Sequence, residues 1–358
     1  MRIGYSIDTF RGQSGQPIPD PKTAALTMDA LIEEGIAAER AGFHSLRVPD
    51  RHGRTDCYFP SALQLLTVLA RETERVALGA FALVNTLYPP MLVAEQCAVI
   101  DNLSRGRLYM AWARGKDYWK FFGIPEERLL GRFLENIGVI ERAYGGERFT
   151  WHGDFYDVEN ALLTPQPYQS PRFPFWGAGQ TAPAIERCAR FAEAWACNDL
   201  PFHVDTWRKQ ADAYRAAAQA AGKEPFIVLG RDGWVADSYE RAIQEFGHLY
   251  LDQMRTKVAA RGGFPGFPEM DTPDQVTVDS IYPHVVMGNA QQCIERLQFY
   301  EEELGVDYLS IRLRLSDGPS FEATREQITR FGEEVVAYFH RKDPRPIDHP
   351  AIPSGARW

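Results

Sequence analysis

Asp50, Arg51 and His52 are three consecutive residues whose side chains could move protons. They follow a short run at residues 45–49 that is predicted to be a strand, so they lie where a strand ends. Histidine titrates near neutral pH, and an adjacent carboxylate can hold its ring in one tautomer. We predict that His52 acts as a general acid or base beside Asp50. A lone histidine is more often structural, and that alternative stays open.

A glycine turn and an arginine form a second candidate site, for a phosphate. Gly179, Gln180 and Thr181 end a predicted strand and begin a predicted helix. Glycine lets the backbone approach a ligand, Thr181 can cap the helix, and the free N–H groups with the helix dipole favour an anion. Arg114 follows another predicted strand, and a guanidinium can bind a phosphate through two parallel hydrogen bonds. Glycine turns and surface ion pairs are common, so these residues alone support only a hypothesis.

Aromatic side chains are concentrated in the stretch that contains Arg114. Trp112 lies in a predicted strand, and Tyr118 and Trp119 follow it. Such side chains favour an apolar pocket with little water. We predict that Trp112, Tyr118 and Trp119 line a substrate pocket, whereas Phe121 and Phe122 pack beneath a long loop.

Repeated strand–helix units must position these residues. Short β-branched or aromatic runs alternate with stretches of helical period, which predicts parallel strands joined by helices. Eight strands are predicted, at residues 2–8, 45–49, 75–84, 107–113, 173–178, 193–197, 226–235 and 306–313. Eight such units favour an α/β fold with a single (β/α)8 TIM barrel, whose active site lies at the C-terminal ends of the strands. This end of the barrel is called the mouth below.

Two segments fall outside the repeat. Residues 147–158 alternate in polarity around a central glycine and predict a hairpin inserted after the fourth helix. Residues 261–283 are rich in glycine and proline, and we interpret them as a mobile lid loop before the eighth helix. Residues 1–343 therefore form one barrel with two insertions, and residues 344–358 form a C-terminal tail.

Composition excludes several classes of protein. The net charge of −9 and the absence of any Lys/Arg run argue against nucleic-acid and membrane partners. The five cysteines are scattered and form no CxxC pair, which predicts neither a disulfide framework nor a zinc site. The N-terminal residues lack the apolar core of a signal peptide, so a cytoplasmic protein without metal is predicted.

The most specific pattern lies within residues 94–123. Here Ala94-Glu95-Gln96 precedes IDNLSRGRL at residues 100–108 and WARGKD at residues 112–117. This resembles the stretch of luciferase-like monooxygenases in which an E/KQ…LDxLSxGR run leads into strand four. Residues 41–46, 174–177 and 287–293 resemble other landmarks of the same family, and residues 113–115 and 121–123 resemble the bacterial luciferase α subunit (alkanal monooxygenase-like proteins) more closely.

The resemblance implies a flavoenzyme that binds reduced FMN at the barrel mouth. By this resemblance, Arg114 and the turn before Thr181 are ligands of the FMN phosphate. Gln180 and Thr181 occupy the positions of a Glu-Ser pair in the family. The end of strand three lies against the flavin ring, and a cis peptide between Phe81 and Ala82 is implied, with an ordinary trans strand as the alternative. The further cofactor-binding residues on this reading are Gly179 and Asn198.

The activity implied is that of a two-component monooxygenase. A separate flavin reductase supplies reduced FMN, which reacts with O2 to give a C4a-(hydro)peroxide that oxygenates a hydrophobic organic substrate. The sequence has no GxGxxG fingerprint for a nicotinamide cofactor, which agrees with a separate reductase. Arg51 stands at the position of the first histidine in the family's EHH motif, so it is a catalytic candidate by position. Because luciferases use that histidine catalytically, the replacement puts light emission in doubt.

Three alternatives stay open. The first is an F420-dependent oxidoreductase on the same fold, which transfers hydride without O2. The second is a non-catalytic flavin-binding protein similar to the luciferase β chain. The third, a metal-dependent barrel hydrolase, is disfavoured because no ligand cluster accompanies Asp8.

Family members associate through helices two and three, and the apolar stretches at residues 61–70 and 93–99 permit a homodimer.

Overall fold

Strands and helices alternate along the chain as the sequence pattern predicts. The computed structural model describes residues 1–13, 15–115, 119–179, 181–197, 204–261 and 270–357. The strands are β1 (Arg2–Ser6), β2 (Ser45–Val48), β3 (Ala77–Val84), β4 (Leu108–Ala113), β5 (Phe149–His152), β6 (Asp157–Ala161), β7 (Phe175–Ala178), β8 (Ala194–Cys197), β9 (Ile227–Val235), β10 (Val285–Gly288) and β11 (Tyr308–Arg312). The helices are α1 (Pro21–Arg40), α2 (Ala62–Glu72), α3 (Pro90–Ser104), α4 (Leu129–Ala143), α5 (Ala182–Phe191), α6 (Val204–Ala220), α7 (Tyr239–Ala242), α8 (His248–Arg261), α9 (Val278–Ile281), α10 (Ala290–Glu302), α11 (Phe321–Phe331) and α12 (Ala337–Lys342).

Eight parallel strands close into a barrel. Their order is β9-β11-β1-β2-β3-β4-β7-β8, and β8 pairs with β9 to complete the ring. These are the eight strands that the sequence pattern predicts, so the (β/α)8 barrel is confirmed. In the described part of the chain, no helix is long and apolar enough to cross a membrane.

The insertions differ in part from the sequence prediction. The hairpin after α4 is present, and its antiparallel strands β5 and β6 extend to Ala161. A ninth parallel strand, β10, pairs with the second half of β9 and was not predicted. Residues 262–269 of the predicted lid lie outside the described residues. The part from residue 270 to 283 contains α9 and two short 3-10 segments, and its Val276 and Ile281 are buried in an apolar cluster.

The inner face of the barrel is filled at its base, the end opposite the mouth. Side chains alternate between the two faces of a strand, so every second residue points inward. The inward side chains at the base are large aromatic groups: Tyr109, Trp176, Phe226 and Tyr308. Gly79 gives them room, because a Cβ at this position would lie 2.3 Å from the Tyr109 ring. The outward residues pack against the helices in the main core cluster.

The C-terminal tail packs against these aromatic residues. Ala351 is fully buried, and its carbonyl oxygen accepts a hydrogen bond of 2.8 Å from Trp176 Nε1. The His349 ring stacks on Phe226 at a centroid distance of 4.6 Å, and the Ser354 N–H donates to Gln169 Oε1 at 3.0 Å. The tail therefore closes the base of the barrel.

We expect a chain that ends at Asp343 to be strongly destabilised. Loss of the tail exposes the aromatic base and leaves the buried Trp176 N–H without its acceptor, a total effect on the order of 3–5 kcal/mol in the free energy of unfolding. Thermal unfolding of the truncated and full chains measures the difference. A control chain that ends at Ala356 keeps Ala351 and Ser354 and is expected to lose much less. Equal stability of all three chains would show that the tail does not support the barrel.

Two histidines near the base predict a pH dependence of stability. The rings of His44 and His340 meet edge to face at a centroid distance of 4.4 Å. Burial, the neighbouring His340 and the Arg2 charge hold the pKa of His44 well below its usual range, and burial and Arg2 lower the pKa of His340. Below the ordinary pKa of about 6.5, the unfolded chain therefore binds more protons than the folded chain.

The free energy of unfolding is therefore expected to fall as the pH drops below about 6.5, by up to about 1.4 kcal/mol per pH unit for each histidine. Denaturant unfolding between pH 7 and pH 5 measures this slope. The variant His44→Phe should reduce the slope, and His152→Asn, which replaces an exposed histidine, should not. If the slope is unchanged in His44→Phe, it is caused by other titrating groups.

Candidate active site

The C-terminal ends of β2, β3, β4 and β7 meet at one edge of the mouth. Val84 at the end of β3 pairs with Ala113 of β4, and Trp112 of β4 pairs with Gly177 of β7. When the pairing of β4 with β7 is continued by two residues, Arg114 lies beside Gly179. Asp50 follows β2, the neighbour of β3 on its other side. The barrel thus brings the proton-transfer candidates and the phosphate-binding candidates to adjacent strand ends.

Asp50 is the centre of a hydrogen-bonded group. Its carboxylate is fully buried, and it accepts hydrogen bonds from the Val84 N–H at 3.2 Å and the Tyr88 hydroxyl at 3.0 Å. His52 Nε2 lies 3.2 Å from Asp50 Oδ1. Burial and the Asp50 charge raise the pKa of Tyr88, so the phenol stays protonated and donates. Asp50 therefore joins the end of β3 to the loop that carries His52.

The Asp50 contact fixes the His52 ring in a partly buried position. The His52 side chain is 12% exposed, and the Phe122 ring meets it edge to face at a centroid distance of 5.0 Å. The 3.2 Å approach of Nε2 to Asp50 Oδ1 is an ion-pair contact whose angle is not that of a hydrogen bond. A carboxylate at this distance favours the tautomer with its proton on Nε2, which leaves Nδ1 as the acceptor that a general base requires. Arg51 is not part of this group: its guanidinium lies 6.0 Å from the centre of the Phe10 ring, over the loop after β1.

The end of β3 presents Phe81 and Ala82 at the same edge. The peptide bond between them is cis, as the family resemblance implies. Both side chains are partly buried, and the Arg47 guanidinium lies 4.4 Å from the centre of the Phe81 ring. Arg47 Nε also donates to Ser6 Oγ at 3.0 Å. Sequence reasoning missed Arg47, although a charged residue inside a predicted barrel strand was an available signal.

The turn before α5 fits a phosphate. Thr181 occupies the N-cap position, its hydroxyl makes no capping hydrogen bond, and the first turn of α5 contains no acidic residue. Gly179 must be glycine because a Cβ would lie 2.7 Å from the Ala184 Cβ. Arg114 is exposed on the adjacent strand end, and its carbonyl oxygen accepts a hydrogen bond of 2.9 Å from the Thr86 hydroxyl. Pro183 has no N–H and the Ala184 N–H donates to the Thr181 carbonyl oxygen, so Ala182 is the residue of this first turn whose N–H can face a ligand. A helix N-terminus without a side-chain cap beside an exposed guanidinium is a suitable environment for an anion.

The predicted substrate pocket is corrected in part. Trp112 is fully buried and packs edge to face on Phe175 in the core outside the barrel wall, so it does not line the mouth. The reason is strand alternation, because its neighbours in β4 occupy the inward positions. Trp119 is partly buried, while Phe121 and Phe122 are 69% and 44% exposed, although the Phe122 ring contacts that of His52. Three predicted site residues lie outside the described part of the chain: Tyr118, Gln180 and Asn198.

The residues that the structure describes contain no group of three or more His, Cys, Asp or Glu side chains placed to hold a metal ion. Besides Arg47, Tyr88 is a functional candidate at this edge that the sequence analysis missed. It lies four residues past β3 and reaches Asp50 because β2 and β3 are neighbours. No local sequence pattern marks it.

Comparison with known proteins places this geometry in a family. The sequence model of the luciferase-like monooxygenases matches residues 1–308. The chain is 26% identical over 342 residues to the oxygenase component of flavin-dependent trigonelline monooxygenase from Acinetobacter baylyi, with 90% of this chain and 92% of that protein covered. It is 32% identical over 178 residues to an F420-dependent glucose-6-phosphate dehydrogenase from Beutenbergia cavernae, with 47% of this chain and 52% of that protein covered.

A solved structure shows the same fold. The oxygenating constituent of 3,6-diketocamphane monooxygenase from Pseudomonas putida, a type II Baeyer-Villiger monooxygenase in complex with FMN, aligns with a TM-score of 0.80 at 15% identity. The alignment covers 94% of this chain and 98% of that chain. Because the family match extends over most of the sequence and the barrel is shared, this chain belongs to the luciferase-like monooxygenase family.

Proposed function

We propose that this chain is the oxygenase component of a two-component flavin-dependent monooxygenase, with reduced FMN bound at the barrel mouth. The observation that carries the proposal is the adjacency of two sites: the Arg114–α5 site suits a phosphate, and the Asp50–His52 pair lies two strands away at the same edge. The trigonelline monooxygenase component and the FMN-bound barrel structure support the choice of flavin.

Each group of residues has a distinct role in this proposal. Arg114 and the backbone N–H groups before Thr181 hold the phosphate, and Phe81 and Ala82 provide a surface for the flavin ring. Bound reduced FMN supplies the activation of O2. His52 holds or accepts the proton that the reaction releases or consumes, and Asp50 keeps its ring oriented.

The mouth must also keep water from the reacting atoms. Phe122 covers the His52 ring, and Trp119 is partly buried nearby in sequence. Closure of the pocket by Tyr118 and residues 262–269, and a contact from Asn198 or Gln180 to the cofactor, stay predictions. A separate flavin reductase is the partner that this scheme requires, and a cytoplasmic location stays a prediction.

An F420-dependent oxidoreductase is the second candidate, and the F420-dependent relative supports it. The two functions differ in the fate of oxygen. A monooxygenase places one atom of O2 in its product, whereas an F420 enzyme transfers hydride only.

Isotope labelling separates the candidates. The purified chain is combined with a flavin reductase, NADH, FMN and a panel of small ring compounds under ¹⁸O2, and products are examined by mass spectrometry. The proposal predicts a product that gains one ¹⁸O atom and disappears when FMN is omitted. Turnover of the same panel with reduced or oxidised F420, without ¹⁸O incorporation, would replace the proposal with the second candidate.

The exposed face of α3 supports a homodimer. Leu92 and Val99 are 46% and 41% exposed, and their spacing of seven residues places them on one face of the helix. We propose that this face pairs with that of a second copy. Analytical ultracentrifugation should give a dimer that Leu92→Asp shifts towards the monomer; a monomer in the parent chain would refute this assembly.

A further inference from the structure

A cavity of about 240 Å³ lies at the base of the barrel, at the end opposite the mouth. It extends across the beginnings of three neighbouring strands, because Arg2 begins β1, Asp307 precedes β11 and Phe226 precedes β9. Asp343 and Ile347, which follow α12, are also part of its wall. The proposed flavin site is at the other end of the barrel, so this cavity takes no part in it.

One side of the cavity contains a buried cation. Arg2 is 3% exposed, and its side chain is held by the segment that follows α12. Its Nη1 donates to the carbonyl oxygen of Asp343, and its Nη2 donates to that of Arg345. Its Nε has no hydrogen-bond partner within the described part of the chain. Both acceptors are neutral carbonyl groups, so they do not balance the positive charge of the guanidinium.

The nearby carboxylate of Asp343 does not pair with this guanidinium. Asp343 forms its ion pair with Arg345 at 2.9 Å, and Arg2 takes part in no ion pair between residues that the structure describes. Burial lowers the pKa of Arg2, and the charge of Asp343 offsets only part of this effect. Buried charges are stable when they are paired. Arg2 therefore lacks the anion that its environment requires.

The other two carboxylates of the cavity wall do not supply that anion. Glu301 pairs with Lys342 at 2.9 Å and with the α-ammonium group of Met1. Asp307 is exposed, and its Oδ2 accepts a hydrogen bond of 2.7 Å from the Ile227 N–H on the side of β11 away from β1. Water hydrates an exposed carboxylate, whereas a buried charge loses this hydration. The uncompensated buried charge of the cavity is therefore positive.

The remaining wall of the cavity is apolar. Phe226 and Val306 are buried, and Ile347 is partly buried. A ligand with an apolar body can pack against these side chains while its charged group lies beside Arg2. Guanidinium groups bind carboxylates through charge-assisted hydrogen bonds. Pockets for drug-sized molecules measure about 300–1,000 Å³, so this smaller cavity suits a compact molecule.

We propose that this cavity binds a small organic carboxylate with an apolar body, whose negative charge pairs with Arg2. The inference does not depend on the proposed function, because the cavity is separate from the flavin and substrate sites. Arg2 also holds the carbonyl oxygens of Asp343 and Arg345, so a bound carboxylate fixes the tail against the base of the barrel. A ligand that binds only the folded chain stabilises it.

Calorimetric titration with benzoate and benzamide tests the proposal. The two molecules have nearly the same shape, but only benzoate carries a negative charge. Each is titrated into the full-length protein without flavin. We expect benzoate to bind at least about tenfold more tightly than benzamide and to raise the melting temperature. Arg2→Gln should remove this preference, because glutamine keeps a side-chain N–H but carries no charge.

A second variant keeps Arg2 and fills the cavity. Ile347→Trp places a larger side chain in the wall, so it should prevent the binding of both probes. Ile18→Trp makes the same change at a residue that is 83% exposed, and it should bind both probes as the parent chain does. Melting curves show whether each variant folds. If Arg2→Gln does not fold, the comparison of the two tryptophan variants decides.

Arg114→Gln tests whether benzoate binds at the base or at the mouth. The proposal predicts that this variant keeps the preference for benzoate, and loss of the preference here would place the anion at the mouth and overturn the inference. No binding of benzoate, equal affinity for the two probes, or a preference that survives in folded Arg2→Gln would also overturn it. Failure of reduced FMN to bind would instead count against the proposed function, because these titrations contain no flavin.

Discussion

Replacing Arg114 with glutamine should weaken the binding of reduced FMN by about ten- to a hundredfold. The guanidinium is exposed at the end of β4, beside the N-terminus of α5 by the register of β4 and β7. It is therefore placed to form charge-assisted hydrogen bonds with the phosphate. Riboflavin has the same ring system but no phosphate, so its affinity should change little. Fluorescence titration of both ligands measures the two dissociation constants.

Arg345→Gln is the matched control for this experiment. Arg345 is also exposed and lies in the tail at the base of the barrel, so both affinities should match those of the parent chain. A loss of affinity in Arg114→Gln that is equal for FMN and riboflavin would show a disturbed pocket instead of a lost phosphate contact. Unchanged FMN affinity would remove Arg114 from the cofactor site.

Replacing Asp50 with asparagine is expected to lower the turnover number by about a hundredfold or more, the usual magnitude of a lost acid–base contribution. The amide cannot orient and stabilise His52 as the carboxylate does, although it still accepts a hydrogen bond from the Val84 N–H. Because the phosphate contacts stay intact, the affinity for reduced FMN should be nearly unchanged. His52→Gln should give a loss of similar size.

The double variant tests whether the two residues act as a unit. If Asp50 works through His52, the combined loss should be close to that of either single variant. Tyr88→Phe keeps both residues and should have a smaller effect on turnover. Multiplicative losses in the double variant would show independent roles, and full activity in His52→Gln would contradict the assignment of proton transfer to this pair.

The barrel could be predicted from the sequence because each strand and each helix is marked locally. Runs of β-branched residues alternate with helical stretches, and the order of the units then leaves few ways to close a sheet. The strand β10 was missed because Val285–Gly288 is short and lies between a proline-containing segment and a capped helix. The orientation of Trp112 was missed because a strand pattern of mostly apolar residues does not show which face is inward.

The candidate site could be predicted only where its functional residues are close together in the sequence. Asp50 and His52 are two residues apart, and their contact follows from the end of β2. The Asp8–Arg312 contact joins residues 304 positions apart, since the barrel closes by pairing β1 with β11. Such a contact depends on how the barrel closes and on the register of its strands. The spacing of residues along the sequence indicates neither.

Anaerobic titration of the full-length chain with reduced FMN is the decisive experiment for the proposed cofactor. We expect saturable binding to one site per chain, with reduced riboflavin binding at least about tenfold more weakly because it lacks the phosphate. Reduced F420, titrated in parallel, should not compete. Absence of reduced FMN binding, or tighter binding of F420, would contradict the assignment of a flavin-dependent monooxygenase.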